Sequence, residues 1–140
     1  MLALTAGHDV YAWGGGHPGQ RSPLLAGGGA SFVPTPVVVV VAAPGSGQQQ
    51  QQEEEVEDVL DCAVGDAHAV VLAGDGRVYV AGDNGNGQLG LPGDKAKAKA
   101  DAKAGTVVSW TKVDLPPGAG DVVAVAAGPR SSFIVARHSY

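Results

Sequence analysis

The residues whose types could do chemistry are four histidines, one cysteine, two tryptophans and several turns rich in Asp, Asn and Gly. His68 stands three residues after Gly65, and no second histidine lies at metal-ligand spacing from it. With no such partner, a structural role is expected rather than a ligand or base. His8, His17 and His138 are scattered through turns and the tail and read as solvated. Gly14 to Gly19 has the spacing of a phosphate loop, but Gln20 occupies the lysine position and no Ser or Thr completes the site, so it reads as a turn. Asp83-Asn84-Gly85-Asn86-Gly87 hints at a calcium loop, yet glycines fill its third and fifth positions, where oxygen ligands belong. Ser131-Ser132 lacks the glycines of a nucleophile elbow. Asp61, Asp66 and Asp75 are spaced like turn and strand-end residues, and nothing pairs two carboxylates for acid–base work. Cys62 lies in an apolar run with no flanking His or Arg to lower its pKa, and reads as a buried free thiol in a reducing compartment. Trp13 and Trp110 are either plugs between packed sheets or, for one of them, a partner-facing anchor. No catalytic residue, metal or cofactor is expected.

The elements that must position these residues follow from a repeat. Val10-Tyr11-Ala12-Trp13-Gly14 and Gly19-Gln20 return as Val78-Tyr79-Val80-Ala81-Gly82 and Gly87-Gln88, and Leu4 meets Leu72 in the same register. Val59-Leu60-Asp61-Cys62-Ala63-Val64-Gly65 returns as Val122-Val123-Ala124-Val125-Ala126-Ala127-Gly128, and each copy leads into a second strand-like run. Periods of this size mark repeat architectures. With 22 glycines and valine gathered in short runs, strands joined by tight turns are favoured over helices.

Strands are expected at Leu2 to Thr5 and Asp9 to Trp13, a hairpin whose turn takes its positive φ from Gly7. Further strands are expected at Val37 to Val41, opened by Pro36, and at Val56 to Val64. A second hairpin joins Ala67 to Ala73 with Arg77 to Ala81 across Gly74-Asp75-Gly76. Thr106 to Val113, Asp121 to Ala127 and Ser131 to Ala136 complete the set. Residues 42–55, with a glutamine tract and three glutamates, and residues 94–105, alternating Lys and Ala, read as low-complexity inserts without the apolar area to offset ordering entropy. One domain, 1–140, is expected, its strands at 1–41 and 56–136. The net charge of −5 argues against electrostatic binding to nucleic acid or an anionic membrane. No secretory signal opens the sequence, and the apolar run at 33–43 is too short to span a bilayer and is broken by Pro34 and Pro36. The expected setting is the cytoplasm, with the nucleus second.

Gly65-Asp66-Ala67-His68, Gly74-Asp75-Gly76-Arg77-Val78-Tyr79, Gly82-Asp83-Asn84 and Gly87-Gln88-Leu89-Gly90 resemble the repeat of the regulator of chromosome condensation family. The first unit departs from that pattern: His8-Asp9 replaces the Asp-Gly turn, and Arg21-Ser22 follows Gln20 where Leu-Gly is usual. The resemblance implies an all-β fold, a partial β-propeller of about two four-stranded antiparallel blades, in a family whose closed rings hold about seven. The glutamine tract and the run from Ala127 to Val135 look most like fungal alpha-tubulin suppressor-like proteins. That likeness implies a non-catalytic adaptor with a small metal-binding protein as partner, supporting tRNA wobble-uridine modification and diphthamide synthesis. The alternative implied by the family is guanine nucleotide exchange on a small GTPase, which the founding member performs with a protruding β-wedge that the inserts here lack. Loops 14–20, 83–90 and 128–131 are the expected contact loops. Their candidate partner-binding residues are Trp13, His17, Asn84, Asn86, Gln88 and Arg130.

Overall fold

The structure, a computed structural model, describes residues 1–14, 31–37, 39–42, 53–56, 58–92, 100–101 and 106–138. The regular elements among them are all strands, and every pairing is antiparallel. β1 (Leu2–Leu4), β2 (Val10–Gly14) and β3 (Ser31–Val37) form a first sheet in that order. β4 (Val40–Ala42) and β5 (Glu53–Glu55) make a short separate ladder. β6 (Val59–Val64), β7 (His68–Ala73) and β8 (Val78–Asp83) continue into β10 (Thr106–Lys112), with β9 (Ala100–Asp101) beyond it, as a central sheet. β11 (Asp121–Gly128) and β12 (Ser131–Arg137) form a third sheet of two strands. The fold is all-β, a stack of sheets in the manner of a partial β-propeller.

The stacking follows from the period of two in the strands. Ala69, Val71 and Ala73 of β7, with Tyr79 and Ala81 of β8, point to one face of the central sheet. There they meet Val10, Leu2 and Leu4 of the first sheet, Val39, and Trp110 of β10. Val70, Leu72, Val78 and Val80 point to the other face and meet Val125, Val122 and Ile134 of the third sheet, with Leu89, Leu91 and Val113 closing the side. Both faces of this hairpin are covered, so its sequence is a nearly unbroken apolar run rather than an alternation. Each fully buried Val or Leu contributes about 1.5–3 kcal/mol relative to exposure. The two cores are therefore the main cohesion between sheets.

The sequence repeat is also a repeat of backbone detail. In the first hairpin His8 N–H donates to the Thr5 carbonyl, and in the second Gly76 N–H donates to that of Ala73. The left-handed residue is His8 (φ 67°) in one and Gly76 (φ 81°) in the other. The positive φ thus falls on His8 and not on Gly7, because the αL position of this turn is its last residue. His8 Nδ1 lies 3.2 Å from the Val59 carbonyl, a bond a glycine could not make. The ladders β6–β7 and β11–β12 both shift register near the start, around the corresponding residues Leu60 and Val123, and both bulge residues are 47% exposed.

Three expected elements differ. The strand expected at Val37 to Val41 divides: Val37 ends β3, Val39 turns into the first core, and β4 starts at Val40. β3 accepts Pro34 and Pro36 because it is an edge strand. Glu53–Glu55 and Ala100–Asp101, expected within unstructured inserts, pair with β4 and β10 through backbone groups that need no apolar side chain. The remainder of those inserts lies outside the described residues.

Gly82 has φ 118°, and a Cβ there would run into the Ala67 carbonyl and the His68 Cα. Gly82→Ala is expected to destabilise the fold by about 2–4 kcal/mol, read as a lowered urea midpoint with unchanged slope.

Candidate functional site

The segment after β8 folds back on itself through its own side chains. Asp83 accepts from Gly85 N–H with Oδ1 (3.1 Å) and from Gln88 Nε2 with Oδ2 (2.9 Å). Gln88 Oε1 accepts from Asn86 N–H (2.8 Å), and Asn84 Oδ1 from Leu89 N–H (3.1 Å). Gly87 and Gly90 supply left-handed φ values of 73° and 62°. The loop is thereby shaped so that Leu89 drops into the second core while Asn86 remains exposed.

The turn between β11 and β12 sits beside this loop. Ser132 Oγ donates to the Gln88 carbonyl at 2.7 Å, joining the third sheet to the central one. On the other side, Asp66 N–H donates to the Pro129 carbonyl (3.0 Å), and His68 Nε2 lies 3.1 Å from the Ser131 carbonyl. A carbonyl only accepts, so Nε2 carries the proton and Nδ1 is left buried without a hydrogen-bond partner. His68 thus ties one turn to the next, the structural role that the family resemblance implies for this position. Asp61 is a second tie: it accepts from Cys62 N–H (2.9 Å) and, across the sheets, from Val125 N–H (3.0 Å). Asp61 lies inside β6 and not at a strand end. Its polar side chain inside an apolar run was the available signal.

Between the loop and the turn lies a cleft of about 330 Å³ with an apolar floor of Val70, Val80, Val113 and Ile134, and with Asn86 and Arg130 at its walls. The structure therefore brings together Asn86, Gln88 and Arg130 from two expected contact loops. Arg130 and Asn86 are exposed, whereas Gln88 is 6% exposed and both ends of its side chain are bonded within the loop. Asn84 is half-buried and shapes the backbone. Trp13 is remote from the cleft, half-buried at the end of β2, with the amino terminus of Met1 donating to its carbonyl at 2.8 Å. Trp110 is a plug in the first core. His17 lies outside the described residues. Among the described residues no group of three or more His, Cys, Asp or Glu could hold a metal ion, and no helix is long and apolar enough to cross a membrane.

The Regulator of chromosome condensation (RCC1) repeat matches over residues 60–88 and again over 75–135. Together these cover more than half of the sequence, and the chain belongs to the RCC1-repeat family. Solved structures similar to it include human WBSCR16, at 20% identity and a TM-score of 0.59, covering 97% of this chain and 28% of that one. Prp20p from Saccharomyces cerevisiae, described with its binding to Gsp1p and histones, matches at 24% identity and a TM-score of 0.61, over 97% of this chain and 28% of that one. The structure of Kap60 bound to yeast RCC1 (Prp20) matches at 26% identity and a TM-score of 0.59, over 96% and 27%. The chain thus spans little more than a quarter of the length of these structures, and the likeness speaks to fold. No curated protein matches the sequence.

Gln88→Ala removes two loop bonds and is expected to cost about 1–2 kcal/mol in urea unfolding and to speed amide exchange at Asn86. Cys62 gives a pH signature. Burial first, and the Asp61 carboxylate second, push its thiol above the ordinary range. The protonated thiol is favoured in the fold, so this contribution is complete below the unfolded thiol's pKa and is lost as pH rises through the folded one. Iodoacetamide is expected to label Cys62 more slowly than free cysteine at mildly alkaline pH, and Cys62→Ser to flatten the alkaline fall in stability.

Proposed function

We propose that this chain is a non-catalytic protein–protein interaction module, an adaptor whose stacked sheets hold rim loops for a protein partner. The observation that carries this reading is the junction between the 83–90 loop and the β11–β12 turn. The Ser132–Gln88 bond fixes two segments from adjacent sheets, leaving exposed Asn86 and Arg130 above an apolar floor. A pre-shaped surface of that kind lowers the ordering cost of binding. Asn86 and Arg130 supply side chains to the partner, and Asn84 and Gln88 supply the shape of the loop. Trp13 and His17 complete the contact set of the same reading.

The finer assignment rests on the resemblance to fungal alpha-tubulin suppressor-like proteins. It gives a small metal-binding protein as partner, with a supporting role in tRNA wobble-uridine modification and diphthamide synthesis, in the cytoplasm and the nucleus. A second reading, guanine nucleotide exchange on a small GTPase, draws on the likeness to Prp20p, which is described with its binding to Gsp1p.

Two measurements on the purified chain separate them: calorimetric titration with a small metal-binding partner protein, and nucleotide release from a panel of loaded small GTPases. The adaptor reading expects saturable binding, weakened about tenfold or more by Arg130→Glu, and unchanged nucleotide release. Accelerated release at micromolar protein overturns it in favour of exchange.

A further inference from the structure

The loop after β8 contains two Asn-Gly pairs, Asn84-Gly85 and Asn86-Gly87. In such a pair the glycine nitrogen can close a five-membered ring on the asparagine side-chain carbon, and the glycine has no Cβ to obstruct its approach. The fold treats the two pairs differently. Asn84 is half-buried, and its Oδ1 accepts from Leu89 N–H at 3.1 Å, which pins the carboxamide to a residue seated in the second core. The next amide, Gly85 N–H, donates to the Asp83 carboxylate at 3.1 Å, a charge-assisted bond. A Cβ at Gly85 would lie 3.3 Å from Asp83 Oδ1, so the surroundings of this pair are close. Asn86 is exposed, and among the described residues its carboxamide makes no hydrogen bond. The amide that follows it, Gly87 N–H, has one uncharged bond, to the Asn84 carbonyl at 3.0 Å. A Cβ at Gly87 would meet nothing within 4 Å. An exposed backbone bond in a loop opens locally at little cost.

We propose that Asn86 is a self-modifying position, converted by its own backbone to aspartyl and isoaspartyl forms, and that the fold shields Asn84 from the same chemistry. The lone pair of Gly87 N forms a bond to Asn86 Cγ, and the Cγ–Nδ2 bond breaks. The proton shed by Gly87 N leaves on Nδ2, as ammonia. Solvent water, the one co-reactant, then opens the succinimide ring. Its hydroxyl goes to one of the two ring carbonyl carbons and its proton returns to the ring nitrogen. Addition at Cγ restores the ordinary backbone with an aspartyl side chain. Addition at the backbone carbon routes the chain through the former side chain, as isoaspartyl. Either product places a new carboxylate on the cleft that Asn86 lines together with Arg130. The modification stands apart from the adaptor reading; its consequence, a contact loop whose charge changes as the chain ages, rests on that reading.

The test ages the purified chain at mildly alkaline pH, folded and in guanidinium, in water enriched in heavy oxygen. Fragmentation mass spectrometry follows each asparagine, and enzymatic methylation counts isoaspartyl groups. In the folded chain Asn86 is expected to convert about tenfold or more faster than Asn84, with one heavy oxygen in the product and isoaspartyl present. In guanidinium the two pairs are expected to convert at similar rates. Asp83→Ala releases Gly85 N–H and is expected to narrow the gap by raising the Asn84 rate, with circular dichroism confirming retained sheet. Asn86→Gln is expected to abolish conversion at that position, because its longer side chain would have to close a six-membered ring. Asn84 matching or outpacing Asn86 in the folded chain overturns the proposal. So does a folded chain that converts neither while the unfolded chain converts both, or a folded Asp83→Ala variant with an unchanged Asn84 rate. None of these measurements reads partner binding, so their failure leaves the adaptor reading standing.

Discussion

From His68 to Ala73 and from Val78 to Gly82 every residue is buried, and the hairpin they form has no solvent face at all. An isolated hairpin of this composition would expose apolar area on both sides and would be marginal in water. Its stability therefore depends on a sheet lying on each side. The first sheet supplies Leu2, Leu4 and Val10, and the third supplies Val122, Val125 and Ile134. The cores on the two sides share β7 and β8, so loosening one removes support from the strands that line the other. Cohesion in this chain is a nearest-neighbour property, as in other repeat stacks.

Polar groups set the relative placement that apolar packing leaves loose. Hydrophobic burial is non-directional and would tolerate some sliding of one sheet over the next. Asp61 with the Val125 amide, His68 with the Ser131 carbonyl, and Ser132 with the Gln88 carbonyl all cross from the central sheet to the third. Each is a directed bond at a partly buried position, where a lost partner is costly. On the opposite side, His8 reaches the Val59 carbonyl and does similar work for the first sheet. The rim cleft owes its form to these ties. Its walls come from two sheets that the ties hold in a single relation.

Much of this was legible in the sequence. The hairpins at Leu2–Gly14 and His68–Asp83 followed from duplicated Val-Tyr segments around Gly-bearing turns, and β11 and β12 from the echo of Val59 to Val64. The repeat pointed to stacked sheets, and the family followed from the motifs between Gly65 and Gly90. What escaped were features that side-chain type does not encode. β5 is three glutamates held by backbone pairing to β4, and no propensity scale favours a strand there. The division of the Val37–Val41 run depended on Val39 finding the first core, a tertiary event. At the site, Asn86 and Arg130 were visible as polar loop residues, but the inward turn of Gln88 depended on Asp83 and Asn86 closing around it. The sequence motif could not distinguish a loop's exposed residues from its internal struts.

The prolines of β3 have a wider consequence. Tyr11 lies opposite Pro36, and Val10 and Ala12 lie opposite Val37 and Thr35. A proline cannot donate, so the ladder to β2 runs through residues 35 and 37, and the amide positions of 34 and 36 face outward. That border of the first sheet offers carbonyls but lacks amide hydrogens at two of its places. A foreign strand approaching sideways would find its acceptors unanswered at these two places, which disfavours ribbon-like, fibril-type growth. Whatever meets this molecule must therefore come upon it broadside or at its rims, and not along that seam.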